Sequence, residues 1–456
     1  MMRAFDRQKV ARDLRRPHAS PSLAEGVQRS LEHKHAAQRQ VDWQALRRRA
    51  HAIKAYAIAN LGELLVRFEN EFAARGGTVL WARTGQEAVE HVVAICRKHA
   101  VTSVVKGKSM LSEELDLCAH LQAAGIEAVE TDLGEFIVQL AGQRPSHIVA
   151  PALHLSRADV GELFHDELGV PFTDDPKGLS AIARERLRTR YLAAGLGVTG
   201  ANFGIAETGT IVVVENEGNG GMSAGTPPVH VALMGIEKLI PRLEDLPVFL
   251  QLLARAGTGQ KLTTYTHHFL GPEPGKAAYC IIVDAGRTAL LADPKTRESL
   301  YCIRCGACLN VCPIYRRVGG WAYGGVYGGP IGAAITPPMV GIGAAGELPF
   351  ASTLCGACRE ECPVDIDLPQ QLVYLRRRAF ERPRSGRIIE SRAMRAFAKS
   401  MMTLGAYRRA LSIARALAPI AERLPWKPAW LGAWMGRRSA PRIAPQTFKE
   451  WWRQRA

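Results

Sequence analysis

Seven cysteines crowd one short stretch of this chain, and that crowding constrains it more than any other feature. They are Cys302, Cys305, Cys308, Cys312, Cys355, Cys358 and Cys362; the remaining three, Cys96, Cys118 and Cys280, stand alone. An odd-numbered cluster in a chain of 456 residues argues against a secreted disulfide framework. Met1 to Ala19 has no apolar core of a secretory signal, and Asp6 and Asp13 argue against a transit peptide. No apolar run reaches the ~20 residues that cross a bilayer. Gly329 to Phe350 is apolar but is broken by Pro330, Pro337 and Pro338. The expectation is a cytoplasmic protein with reduced thiols. The isolated Cys96, Cys118 and Cys280 are expected to be core residues.

The first motif, Cys302-Ile303-Arg304-Cys305-Gly306-Ala307-Cys308-Leu309-Asn310-Val311-Cys312-Pro313, has the C-x2-C-x2-C-x3-C-P spacing of two-cluster ferredoxins. Three cysteines so spaced on a tight turn can aim their sulfurs at corners of one small cube. Gly306 and Ala307 let the backbone approach inorganic sulfide, where amide N–H groups offset negative charge. The fourth cysteine points elsewhere and serves the other cluster. A second copy, Cys355-Gly356-Ala357-Cys358-Arg359-Glu360-Glu361-Cys362-Pro363, has Ser352 where the first copy has Cys302. Crossed ligation then predicts a [4Fe–4S] cluster on Cys302, Cys305, Cys308 and Cys362. A second cluster would use Cys312, Cys355 and Cys358. Its fourth corner could take water, Ser352, a partner residue or substrate, or stand empty as [3Fe–4S]. Zinc ribbons also use C-x2-C pairs, but three cysteines at this spacing followed by a partial repeat argue against zinc. The long gap between the copies is similar to helical ferredoxin modules.

A chain this long with 47% hydrophobic residues predicts two or more folded domains. Residues 1–75 read as a charged helical arm. Residues 76–291 alternate strand and helix signals and predict an α/β domain with a largely parallel sheet. The strands are expected at Thr78–Ala82, Thr102–Val105, Glu127–Glu130, His147–Ala150, Ile211–Val214, His230–Leu233 and Cys280–Val283. Expected helices include Gln86–Arg97, Glu113–Ala124 and Leu179–Leu196. Residues 296–382 hold the cysteines. Residues 385–456 are basic and helical, with Trp426, Trp430, Trp434, Trp451 and Trp452. This end is compatible with peripheral contact at a membrane surface or with packing on the cluster domain. The formal charge of +16 suits anionic partners or simple solubility, and no recognisable DNA-binding motif accompanies it. No nucleic acid is expected.

Within the α/β segment, Lys106-Gly107-Lys108-Ser109 fails as a phosphate-binding Walker loop, because position 102 is Thr where Gly is required. What is left is a basic turn leading into a helix capped by Ser109 or Ser112. Glu207-Thr208-Gly209-Thr210 precedes the strand at Ile211, and Glu215-Asn216-Glu217-Gly218-Asn219-Gly220-Gly221 follows it as a tight, glycine-rich loop. His147, His154, His165, His267 and His268 lack metal-ligand spacing.

These segments together resemble the lactate utilization protein B family. The match runs through Lys106 to Met110 with Glu113-Glu114, Asp132 to Leu140, Gly200 to Phe203, Glu207 to Thr210 and Asn216 to Asn219. It continues through Cys302–Pro313, Val326 to Pro330 and Ser352–Pro363, and covers nearly the whole chain. The resemblance implies a three-protein system oxidising L-lactate to pyruvate, so the other lactate utilization proteins are the expected partners. It also implies an α/β domain related to the sugar-phosphate isomerase and CoA-transferase superfamily, followed by an α-helical ferredoxin-type domain. The expected role is an iron–sulfur electron-transfer subunit, with a downstream acceptor that the sequence leaves open. Two other readings stand beside it. The α/β domain is itself a catalytic small-molecule site centred on Glu207 and the Lys106/Lys108 loop, or the chain is an iron–sulfur redox sensor.

Overall fold

The computed structural model describes residues 21–381, 388–423, 444 and 446–455. The chain divides into two compact units, Met1–Glu381 and Arg382–Ala456. Met1 to Ser20 of the expected arm, and Trp426, Trp430 and Trp434, lie outside the described residues.

The first unit is built on a six-stranded, fully parallel sheet. Its strands are β1 (Thr78–Ala82), β2 (Ser103–Lys106), β3 (Glu127–Glu130), β4 (Leu196–Gly200), β7 (Val229–Gly235) and β10 (Ala277–Val283). Their spatial order is β1-β10-β7-β4-β2-β3. The central β7 is buried along its whole length, as expected of a strand covered on both faces. A smaller sheet joins β5 (Phe203–Ile205), β6 (Thr210–Glu215), β8 (Leu239–Ile240) and β9 (Tyr265–Phe269) in the order β8-β5-β6-β9. Cys280 is fully buried in β10 and Cys96 in the helix Gly85–Lys98, while half-buried Cys118 donates its thiol to Glu130.

Three expected elements are corrected. His147–Ala150 is not a strand. His147 Nδ1 instead accepts the N–H groups of Val149 and Ala150, closing a turn that withdraws those donors from any ladder. The expected helix Glu113–Ala124 breaks at Asp116, whose φ of 52° is left-handed, into Met110–Glu114 and Leu117–Ala123. The expected helix to Leu196 is Pro176–Ala193, capped by Asp175, and Leu196 opens the central strand β4.

Helices Pro21–Gln38, Trp43–Ala59 and Leu61–Ala74 pack on this unit. Arg47 reaches the carbonyls of Cys362 and Arg359, and Lys54 donates to the carbonyls of Glu237 and Leu239. One helical arm thus holds both the cysteine region and the sheet. The cysteine region from residue 296 to 381 contains only helical elements, including Gly329–Val340 and Leu368–Glu381. In the second unit the described elements are the helices Ile388–Met401, Leu404–Arg423 and Phe448–Arg453. Phe448, Trp451 and Trp452 gather on the last of these, with Arg455 over the Trp451 ring. No helix among the described residues is long and apolar enough to cross a membrane.

Candidate functional site

The two cysteine turns share one backbone. In the first, Arg304 (φ 61°) and Gly306 (φ 80°) are left-handed, and the short helix Ala307–Asn310 follows. In the second, Leu354 (φ 57°) and Gly356 (φ 90°) are left-handed, and Ala357–Glu360 follows. Each turn folds an amide back onto its opening side chain. The Arg304 N–H points at Cys302 Sγ at 3.4 Å, and the Leu354 N–H at Ser352 Oγ at 3.1 Å. Ser352 therefore holds in the second turn the place that Cys302 holds in the first.

The seven thiols fall into two neighbourhoods. Burial, then the thiols of Cys302, Cys305 and Cys362, push Cys308 well up; Cys358 is a further neighbour. Burial pushes Cys358 up to about 12, helped by Cys312 and Cys355. Cys305, Cys308, Cys312, Cys358 and Cys362 are buried, Cys302 is half-buried and Cys355 is exposed. A tetrahedral zinc site would hold its sulfurs about 3.8 Å apart. Among the described residues, the one set of three His, Cys, Asp or Glu ligand atoms within 4.8 Å of one another is Glu113, Glu130 and Glu135. No three cysteine sulfurs among the described residues lie that close together, so the thiols are not gathered as a single zinc ion would gather them. Backbone donors aimed at sulfur, at Cys302 and also from Ile366 to Cys362 at 3.4 Å, fit a thiolate-bound anionic group as well.

Cations surround the first turn. Burial lowers Lys54 to about 7 and Lys238 to about 8, each drawn back up by Glu237 and by Cys302. Arg304 is 9% exposed and lies over the Tyr327 ring, 4.7 Å from its centre. Burial would raise Glu237, but Arg287 and Arg304 outweigh it and hold this carboxyl at about 2. Arg287 bonds Glu237 and Glu114 at 2.8 Å each, and the Tyr327 hydroxyl donates to Glu114 at 2.6 Å.

A cavity of about 280 Å³ opens between this turn and the carboxyl ends of the parallel strands. Ligands of such sheets bind at those ends. Lys108 and Ser109 after β2, Thr199 to Asn202 at the end of β4, and Glu237 and Lys238 after β7 line it. Glu215, Glu217 and Asn219 of the glycine-rich loop join them, and so do Arg304, Cys305 and Tyr327 from the cysteine region. Ser109 caps its helix by accepting the Ser112 N–H at 3.2 Å. Lys106 does not reach the cavity. It is buried beneath the loop against Glu130, Glu135 and Glu113, at 2.8, 3.3 and 3.4 Å. Glu207 does not line the cavity either; its carboxylate accepts the Leu243 N–H at 3.0 Å.

Of the histidines, His267 meets Glu215 at 2.7 Å, and His147 joins the two halves of the unit. Burial lowers His147 to about 4, so it is neutral. Its Nδ1 accepts two N–H groups, so Nε2 carries the proton and donates it to Asn310 Oδ1 at 3.1 Å. Asn310 Nδ2 in turn donates to the Gly257 carbonyl at 3.1 Å. Sequence reasoning missed Arg287, Glu237, Lys238 and Arg304 as site residues. Their only advance signal was a charge placed beside an apolar strand or inside the cysteine motif.

Comparison with known proteins agrees with this geometry. The LUD domain model matches residues 65–285, a 4Fe-4S dicluster domain model matches 298–366, and the model of the lactate utilisation protein B C-terminal region matches 378–456. Lactate utilization protein B of Oceanobacillus iheyensis is 41% identical over 424 residues, covering 91% of this chain and 88% of that one. The protein of that name from Geobacillus thermodenitrificans is 40% identical, covering 91% and 89%. A crystal structure of a DUF162 family protein from Deinococcus radiodurans aligns with 49% of this chain and 98% of its own at 13% identity, with a TM-score of 0.28, too low to carry an argument.

Proposed function

The chain belongs to the lactate utilization protein B family, and we propose that it is the iron–sulfur electron-transfer subunit of a multi-protein system oxidising L-lactate to pyruvate. The other lactate utilization proteins are its partners in this reading. Cys302, Cys305, Cys308 and Cys362 would hold a [4Fe–4S] cluster. Cys312, Cys355 and Cys358 would hold a second, [4Fe–4S] or [3Fe–4S], with Ser352 beside its fourth corner. Such clusters, when bound, take up and release electrons singly, which suits a two-electron oxidation divided over two sites.

The observation that carries the reading is the repeated turn, with its thiols in two neighbourhoods, one buried and one reaching the surface at Cys355. The chain's own residues set up the inner neighbourhood. Arg47 ties the Cys362 turn to the helical arm, and Lys54, Lys238 and Arg304 supply positive charge beside Cys302. The exposed Cys355 gives the second neighbourhood access to an electron partner. Residues 76–291 would be the lactate utilization α/β domain, related to the sugar-phosphate isomerase and CoA-transferase superfamily, and the six parallel strands support that relation. Residues 296–382 would be a helical ferredoxin-type module, in keeping with their all-helical elements.

Anaerobic iron and sulfide quantification with EPR tests this. About eight irons with interacting reduced signals supports two [4Fe–4S] clusters, and about seven with an oxidised three-iron signal supports [3Fe–4S] at the second site. Zinc without sulfide would end the electron-transfer reading.

A further inference from the structure

The second cysteine neighbourhood has three thiols, and a hydroxyl stands where the first has its remaining thiol. Around Cys308 gather Cys302 and Cys305 of the same turn, with Cys362 from the second copy. Around Cys358 gather Cys355 of its own turn and Cys312 from the first copy. The position left over by this exchange is the opening one, Ser352. Its backbone matches that of Cys302 in the features that aim a side chain. The residue two places on, Arg304 in one turn and Leu354 in the other, is left-handed, a conformation that a Cβ makes costly. In both turns the amide of that residue folds back onto the opening side chain. One guanidinium fixes the entry to the second turn, Arg376 donating to the Ser352 carbonyl at 2.7 Å and to the Pro349 carbonyl at 2.9 Å. The Ser352 hydroxyl accepts the Leu354 N–H, and among the described residues nothing accepts its own proton. The neighbouring Thr353 is exposed, and its hydroxyl bonds the Cys355 thiol instead.

We propose that Ser352 is the fourth ligand of the second cluster, its side-chain oxygen bound to the one iron that lacks a cysteine. The inference rests on the electron-transfer reading above, and it makes the second cluster [4Fe–4S]. Binding breaks the Ser352 O–H bond, forms an oxygen–iron bond and changes no oxidation state. The proton passes to water, which reaches this turn because Ser352 is only half-buried and Cys355 is exposed. The Leu354 N–H then donates to an anionic oxygen, as the Arg304 N–H would to the Cys302 thiolate. An oxygen anion is a harder ligand than a thiolate and favours the more oxidised iron. Serine at this corner therefore sets the second cluster at a lower potential than four cysteines would.

Anaerobically loaded, iron-labelled protein is followed by Mössbauer spectroscopy, EPR, and iron and sulfide content. The expected wild type has about eight irons per chain, one with the isomer shift of mixed oxygen and sulfide ligation. Water carrying the magnetic oxygen isotope should add no hyperfine coupling. Ser352→Cys should keep the iron content, remove the oxygen-ligated component, and raise the midpoint of one cluster while leaving the other in place. Ser352→Ala should lose about one iron and show an oxidised three-iron signal. Coupling to labelled water in the wild type would put solvent at the corner and overturn the proposal. So would a three-iron signal in the anaerobic wild type, unchanged midpoints and spectra in Ser352→Cys, or unchanged iron and spectra in Ser352→Ala. If Ser352→Ala fails to load either cluster, Ser352→Cys and the wild-type spectra decide. Zinc without sulfide marks failure of the electron-transfer reading, whereas two loaded clusters with a water-bound corner refute Ser352 alone.

Discussion

Replacing Lys106 with methionine would remove the one cation from a buried nest of acids. Lys106 is 1% exposed, with Glu130, Glu135 and Glu113 all within 3.4 Å of its ammonium. Burial alone would lower this lysine, but the three carboxylates outweigh it and raise it well above its ordinary value. Burial also raises Glu130, with Glu135 and Glu113 adding repulsion against the pull of Lys106. Glu135 shows the opposite balance: burial would raise it, but Lys106, a hydrogen bond with Glu130 and Lys108 together hold it low. Breaking a buried ion pair from one side costs about 3–5 kcal/mol. Unfolding entropy of about 2.1 cal/mol/K per residue over the unit Met1–Glu381 gives roughly 0.8 kcal/mol/K. Lys106→Met should therefore lower the midpoint of anaerobic thermal unfolding by about 4–6 °C at pH 7. The deficit should depend on pH with a definite sign. Without the ammonium, the folded-state pKa values of these carboxyls lie above their unfolded values. Their protonated forms stabilise the fold at low pH, and that support is lost as pH rises through the raised values. The variant should thus approach wild type near pH 5 and fall furthest behind near pH 8. Adding Glu135→Gln to Lys106→Met should recover part of the loss. A midpoint shift below about 1 °C, or a deficit that does not shrink on acidification, would refute the electrostatic account of this nest.

Other outcomes are open to direct measurement. Cys312→Ala and Cys355→Ala should erase the same EPR signal and leave the one erased by Cys302→Ala or Cys362→Ala; pairing of Cys312 with Cys302 would rule out crossed ligation. His147 and His230 are both lowered by burial to about 4. A depressed folded value means stability that is full above the unfolded pKa and lost as pH falls from about 6.5 toward 4, up to roughly 3 kcal/mol for each histidine. His230→Gln should flatten that part of the pH–stability curve, and an unchanged slope would contradict it. Arg47→Ala removes donors to the Cys362 and Arg359 carbonyls and a 2.6 Å contact with Asp365. Iron should be lost to a chelator several-fold faster in this variant, and equal rates would count against a bracing role.

The sequence was informative where structure depends on neighbours in the chain. β1 and β10 stand out as short apolar runs, and the cysteine turns depend on spacings of two and three residues with a glycine at a left-handed position. β4 was hidden because Leu196 continues the apolar spacing of the preceding helix. What separates them is the extended backbone of Ala194, the Gly195 N–H donating to the Ser103 carbonyl of the neighbouring strand, and burial of β4, pairings that depend on distant parts of the chain. β9, Tyr265–Phe269, has no buried residue to mark it. The cavity was hidden for a different reason. Lys108, Asn202, Lys238 and Arg304 come from three strand ends and one cysteine turn, and only a parallel sheet brings such residues together. Glu207, which looks promising in sequence beside a strand and two threonines, caps a backbone amide outside the cavity.

The surplus of basic residues takes on a different meaning in this light. An excess of +16 reads from composition as an outward feature, for solubility or for anionic partners. Yet several cations point inward around the cysteine region. Lys34 is fully buried and pairs with Glu361, Arg47 is spent on loop carbonyls, and Lys54, Lys238 and Arg304 gather near Cys302. Burying cations this way is costly unless an opposing charge is buried with them. Glu237 supplies one negative charge and is shared with Arg287, which leaves the cations near Cys302 in excess. A cradle of thiolates holding an anionic inorganic group would supply the rest, and those cations would favour its more negative, reduced state. The depressed Lys54 and Lys238 then follow from the same arrangement. In the protein without its clusters these ammonium groups face burial with too little compensation, and loading the thiolate cradle should raise both. Lysine titration followed by NMR in cluster-free and loaded protein would show that rise, and equal values in the two forms would sever the basic surplus from the iron–sulfur site.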